Sequence, residues 1–249
     1  MAQPYAPRLV LAGFGGSYAY LLASLLLFFV LHPFFEGEAT KNILLDVFLS
    51  AVLIAGTYTV VHSKARLIIA LCLGVPAIIA RWTLVFVDTD GLIVATHVFM
   101  IAFFGFNTVT VLWHIMSERE ITQDTIYGAI CGYLLLGLCW ALVFSLIETM
   151  VPGSFAVIVT PAGDPERLGS LMFYYSFTSL TTLGYGDIVP ISPITRSFST
   201  LEAVMGQLYL TVLVARLVGL HTSREGRTID PCLQTEPYYG VTADGFAVV

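Results

Sequence analysis

Charge is what this sequence has least of. Only 11% of its 249 residues are Asp, Glu, Lys or Arg, against about 25% in soluble domains. So few charges cannot cover a water-facing surface, which excludes an ordinary soluble domain. The net charge of −6 is spread over loops and ends, and without a basic patch there is no nucleic-acid footprint. Cysteine is scarce too. Cys72, Cys131, Cys139 and Cys232 form no metal-ligand spacing, and three of them lie in apolar stretches, so neither disulfides nor zinc are expected. They read as small buried hydrophobes. His32, His62, His97, His114 and His221 are scattered over different ends and stretches. No serine-nucleophile motif, phosphate loop or paired carboxylates accompany them, so neither enzyme chemistry nor a cofactor is expected. Internal repeats and low-complexity tracts are missing as well.

What the chain has is apolar length: 57% hydrophobic residues and a mean hydropathy of +0.85. A bilayer crossing takes about 20 helical residues. Six runs suffice: Leu9 to Leu31, Ile43 to Val61, Leu67 to Val87, Leu92 to Met116, Ile126 to Met150 and Ile194 to Leu220. Pro76 falls inside the third, where a kink is expected. The first run is too long for a signal-peptide core and lacks a cleavage site, so it is expected to remain in the mature protein. Leu168 to Thr181 is apolar and aromatic but only about 14 residues long, which suits a re-entrant helix rather than a span.

Lys and Arg orient the chain. With the amino terminus cytoplasmic, seven lie inside (Arg8, Lys64, Arg66, Arg119, Arg216, Arg224, Arg227) and three outside (Lys41, Arg167, Arg196), with Arg81 within the third run. The expectation is a multi-pass cell-membrane protein of all-α fold with both termini cytoplasmic. Residues 1–120 read as a four-helix domain. Residues 121–221 read as outer helix, re-entrant helix, loop and inner helix. Residues 222–249 read as a short, mostly disordered cytoplasmic tail.

Between the re-entrant helix and the last run stands Thr181-Thr182-Leu183-Gly184-Tyr185-Gly186-Asp187. Gly184 and Gly186 can take positive φ without steric cost, whereas the residues between them cannot readily do so. A backbone alternating between the two hands turns successive carbonyls to one side, and Thr182 adds a hydroxyl at the lower end. Such backbone is tolerated at membrane depth only where it lines a wet cavity or is buried in protein.

This string resembles the Thr-Val-Gly-Tyr-Gly loop of tetrameric potassium channels, with Leu183 in place of valine. The resemblance covers about 100 residues and suggests a prokaryotic-type six-span channel with a two-helix pore domain. It implies a homotetramer in which Thr182, Leu183, Gly184, Tyr185 and Gly186 form the selectivity filter. The first four would offer oxygens to K+, the permeant ion, moving passively. The alternative within the same fold is a weakly selective or non-selective monovalent cation channel, because Leu183 packs behind the carbonyls.

By the same resemblance, Tyr174 and Tyr175 stand where relatives carry a tryptophan pair that braces the filter; lipid-facing rings are the other reading. Thr178 replaces a glutamate that several relatives pair with the aspartate matching Asp187. Asp187 must then bond a tyrosine hydroxyl or a water, or serve as a charge at the outer mouth that concentrates cations. Gly206 is either a gating hinge or a close-packing position. Gln207, Leu210, Thr211 and Val214 are candidate cavity linings. Glu202 lies at membrane depth, where an ionisable group is costly; Arg196 is its candidate partner, and protonation with a pH-sensing role is the other option. Voltage-gated relatives carry arginines at every third position of the fourth helix. Leu92 to Met116 contains no Lys or Arg, so strong voltage gating is not expected. The first four helices then read as a scaffold, or as a surface for lipid or an unknown regulator.

Overall fold

Helices account for nearly all of the regular structure, and their ends are set by local capping. The computed structural model describes residues 17–32, 50–52, 64–84, 86–87, 89–118, 122–158 and 168–228. The helices are α1 (Ser17–Leu31), α2 (Lys64–Leu84), α3 (Asp90–Ser117), α4 (Gln123–Met150), α5 (Leu168–Leu180) and α6 (Pro193–Thr228). Among the described residues, α2, α3, α4 and the Pro193–Arg216 part of α6 are four helices long and apolar enough to cross a membrane. The start of the expected first span lies outside the described residues. So does most of the expected second, of which residues 50–52 are helical.

α4 begins three residues before its apolar run because threonines cap it. Thr122 Oγ1 accepts from Thr125 N at 3.2 Å, and Thr125 Oγ1 accepts from Thr122 N at 3.3 Å. Such a cap is worth about 1 kcal/mol. α6 starts the same way: Thr195 N donates to Ser192 Oγ at 3.1 Å, and Pro193 occupies the first helical position, where its missing N–H costs nothing. α2 runs through Pro76 as a continuous helix. α6 continues to Thr228, so the first residues of the expected disordered tail are helical; residues 229–249 lie outside the described ones.

The all-α expectation needs one correction. Phe155–Val157 (β1) and Ile188–Pro190 (β2) pair antiparallel, Phe155 opposite Pro190 and Val157 opposite Ile188. Strands of three residues show no periodicity that a sequence reading can detect, and their pairing joins loops on either side of α5.

α4 is the hub. It packs against α1, α3, α5 and α6, and its glycines admit an aromatic from three of them. A Cβ at Gly128 would lie 3.2 Å from Tyr18 of α1, and one at Gly132 would lie 2.6 Å from the Tyr209 hydroxyl of α6. At Gly137 it would overlap the Phe177 ring of α5. Small residues let helices approach where lipid supplies no hydrophobic drive between them. Two apolar clusters result. One centres on Leu21, Leu25, Phe103, Phe104 and Leu135. The other, on Phe144, Phe155, Met172, Tyr175 and Leu180, surrounds α5.

Gly206 of α6 is a close-approach position. A Cβ there would collide with the backbone carbonyl oxygen of Leu180, at the end of α5. Alanine would gain about 1 kcal/mol of helix propensity but would overpack a contact whose other side is main chain, a cost of about 1–3 kcal/mol. Gly206→Ala is therefore expected to lower stability to unfolding in mixed micelles. Gly169→Ala, whose Cβ meets nothing within 4 Å, should be neutral or stabilising. Equal effects of the two substitutions would contradict the packing role of Gly206.

Candidate functional site

The site begins where α5 stops. Thr182 N donates to Ser179 O at 3.0 Å, and Leu183 N donates to Thr178 O at 2.8 Å. This pair of bonds is the Schellman termination, which calls for a left-handed residue at the position of Thr182. Thr182 has φ of 59°. Glycine usually fills this place; a β-branched residue there stores roughly 1–3 kcal/mol of strain. Gly184 N also donates to Thr178 O, at 3.1 Å, so one carbonyl gathers two amides of the loop.

Gly184 and Gly186 follow with φ of 53° and 79°. Left-handed residues thus alternate at 182, 184 and 186, and the first of them is a threonine that no sequence rule singles out. Among the described residues, no donor bonds the carbonyls of Thr182, Leu183, Gly184 or Tyr185. Leu183 and Tyr185 are more than half exposed in the single chain. The loop therefore offers a run of unpartnered carbonyl oxygens, a donor set suited to a desolvated cation.

Side chains brace the outer end. Tyr174 Oη donates to Asp187 Oδ2 at 2.7 Å, and its ring stacks on Tyr185 at 6.5 Å between centroids and 6° between planes. Asp187 Oδ1 accepts from Ile188 N, and Asp187 O accepts from Ile158 N at 2.8 Å, just beyond the strand pair. Tyr175 points the opposite way. It is buried between Phe144 and Phe155 and donates to Ser199 Oγ of α6 at 2.6 Å. Neither ring merely faces lipid. Thr178 is buried and donates its hydroxyl to Tyr175 O at 2.9 Å, so its side chain does not reach Asp187.

Further residues hold this assembly that sequence reasoning did not single out. Tyr133 Oη donates to Leu180 O at 3.2 Å, the carbonyl that Gly206 approaches. Glu148 accepts from Gly153 N at 2.7 Å and from Phe155 N at 3.1 Å, fastening β1 to the end of α4. Phe173 and Phe177 on the back of α5 meet Phe28 and Phe29 of α1 and His32 just after it, with His32 stacked on Phe173 at 4.8 Å. The faint signal for this contact was the aromatic spacing Phe173–Phe177, one helical turn apart.

On α6, Gln207, Leu210, Thr211 and Val214 share one exposed face of the single chain. Glu202, Gly206 and Tyr209 face inward instead; Tyr209 Oη donates to Ala129 O at 2.6 Å. The expected pairing of Glu202 with Arg196 does not occur. Arg196 Nε donates to Pro190 O at 3.2 Å, and Glu202 turns to Ser176 of α5. An arginine a turn and a half away on the same helix lies on a different face. Farther along, Arg216 Nη2 donates to Glu118 O at the end of α3.

The family described as "Ion channel" matches residues 132–222, which take in most of α4, both strands, α5, the loop and most of α6. The chain is 32% identical over 96 residues to the inward rectifier potassium channel Kirbac3.1 of Paramagnetospirillum magnetotacticum. That match covers 35% of this chain and only 32% of the relative. Protein LctB of Bacillus caldotenax is 27% identical over 116 residues, 45% of this chain and 84% of LctB. No solved structure matches the chain. A channel domain, inserted by several apolar helices, accounts for these likenesses where an enzyme does not. Residues 132–222 thus match an ion-channel family, and over that part the chain is similar to a potassium channel and to LctB.

Proposed function

We propose that four copies of this chain surround one axis and conduct K+ passively and selectively across the cell membrane. The observation that carries this reading is the alternation of left-handed backbone at 182, 184 and 186, which leaves the carbonyls of 182–185 without donors. One loop supplies one side of an oxygen cage, and a complete cage takes four. Exposed Leu183 and Tyr185 are then covered by neighbouring copies. Gly186 carries the backbone path, and the Tyr174–Asp187 bond holds the outer end open.

α5 enters from the outside and directs its carboxyl end toward the middle of the bilayer. Its partial negative charge favours a cation below the filter. Gln207, Leu210, Thr211 and Val214 line the wet cavity there. Residues 121–221 form the pore, with both termini cytoplasmic, in line with the Lys and Arg count. Residues 1–120 act as a scaffold behind the pore helix, and their outer faces meet lipid or an unidentified regulator.

Reconstituted protein should pass K+ and Rb+ and largely exclude Na+. Bi-ionic potentials measure this directly, and equal K+ and Na+ permeabilities would favour a non-selective cation channel instead. Gly184→Ala should abolish flux. A Cβ there meets nothing within 4 Å in the single chain, so the loss would come from φ.

Gating by voltage should be weak. α3 contains no Lys or Arg, and Arg81 sits in the last turn of α2. Steep gating uses about 3–4 charges per subunit, each gaining about 2.3 kcal/mol per 100 mV. Open probability in planar bilayers should therefore change only shallowly with voltage. Steep activation lost in Arg81→Gln would show a sensor in α2, whereas steep activation that survives it would place the voltage dependence in the filter.

A further inference from the structure

Glu202 sits on α6 one turn before Gly206, fully buried within the single chain. Its surroundings are thus complete without any neighbouring subunit. Three elements meet there. Ser176 comes from α5 and Gly137 from α4, and the Ser176 hydroxyl meets both Gly137 and Glu202. Ser176 Oγ lies 2.8 Å from Gly137 O and 2.5 Å from Glu202 Oε1.

A count of protons decides the chemistry. Two short oxygen–oxygen contacts need two protons between them. The serine hydroxyl owns one, the backbone carbonyl owns none, and an ionised carboxylate owns none. If Ser176 donated to a carboxylate, its lone pairs would face those of Gly137 O at hydrogen-bonding distance. The second proton must come from Glu202. Glu202 Oε1–H then donates to Ser176 Oγ, and Ser176 Oγ–H donates to Gly137 O, giving a directed chain from α6 through α5 to α4.

The rest of the surroundings fits a neutral acid. Among the described residues no cation bonds or pairs with Glu202, and its Oε2 has no hydrogen-bond donor. A buried carboxylate in that setting would be an uncompensated charge, whereas the carbonyl oxygen of an acid bears only a partial one. The titratable groups that face Glu202 are Tyr133 of α4 and Tyr175 of α5. Both have committed their hydroxyl protons elsewhere, to Leu180 O and Ser199 Oγ. On α6 itself, Tyr209 is committed to Ala129 O.

We propose that Glu202, Ser176 and the carbonyl of Gly137 form a proton-binding site, and that the bound proton ties the inner helix to the back of the pore helix. Release transfers the proton from Oε1 to hydroxide or water of the bath and breaks no other covalent bond. It leaves a carboxylate whose one hydrogen-bond partner among the described residues, Ser176, can satisfy either it or Gly137 O, but not both. The tie then opens one turn from the contact between Gly206 and Leu180, the point where α6 supports the end of α5. Proton occupancy thereby sets how firmly the filter is held, which rests on the channel reading above; the proton itself does not.

Two measurements on the full chain separate these parts. Infrared difference spectra of wild type minus Glu202→Gln, recorded in liposomes at neutral pH, should contain the carbonyl band of a protonated acid. That band should give way to carboxylate bands as pH is raised. Carboxylate bands alone at neutral pH would overturn the proton site, whatever the ion conducted. Flux across the same liposomes tests the coupling. Glu202→Gln keeps a donor and should conduct like wild type without its alkaline loss. Glu202→Ala removes one neutral hydrogen bond and should lower flux roughly five- to tenfold at every pH. Glu202→Gln that titrates like wild type, or that fails as Glu202→Ala does, would overturn the coupling.

Discussion

A stretch of main chain that is neither helix nor sheet can stand in a bilayer only where protein buries it or where it lines a wet cavity. Residues 181–187 are such a stretch, and the neighbouring elements converge on holding them. The constraint acts first within α5: the Schellman bonds turn the amides of 182 and 183 back onto the helix, and Thr178 O takes that of 184 as well. With the amides committed, the carbonyls are left to the other side. Strain at Thr182 is the local cost of this division. It persists because α5 is pinned at its end by Tyr133 and by the close approach of Gly206.

The same constraint explains the two short strands. The chain leaving the loop at Asp187 is fastened by Tyr174, by Ile158 N and by the pairing of β2 with β1. β1 is in turn held by Glu148 at the end of α4. Each bond is modest, about 0.5–1.5 kcal/mol when both partners are neutral. Their importance is geometric, since they fix both ends of a segment whose middle must keep its oxygens unpartnered.

The amino-terminal helices belong to this support. α1 lays Phe28 and Phe29, with His32 just after it, on the aromatic back of α5. Glu118, the residue that caps the end of α3, offers its carbonyl to Arg216 of α6, where the negative end of the helix dipole favours a cation. The leading part of the chain therefore touches α5 and again the far part of α6. A module joined at both places can bear on the 181–187 loop without carrying a charge ladder of its own.

Much of this was legible in the residues in order. Apolar length located α2, α3, α4 and α6 to within a few residues, except where capping threonines or the helical extension to Thr228 moved an end. Gly184 and Gly186 announced their left-handed backbone because only glycine takes it freely. The absence of Lys and Arg from α3 was plain. Only the tertiary structure decided that Glu202 meets Ser176 rather than Arg196, that Tyr174 reaches Asp187 while Tyr175 is buried against Ser199, and that α1 lies behind α5. It also decided the left-handed Thr182 and the pairing of residue 155 with 190. The reason is the solvent. In water a helix declares its buried face by leaving the other polar, but in a bilayer both faces are apolar. Length and composition then identify a span, whereas the choice between lipid and a neighbouring helix is made by small residues, shape and a few hydrogen bonds between distant parts of the chain.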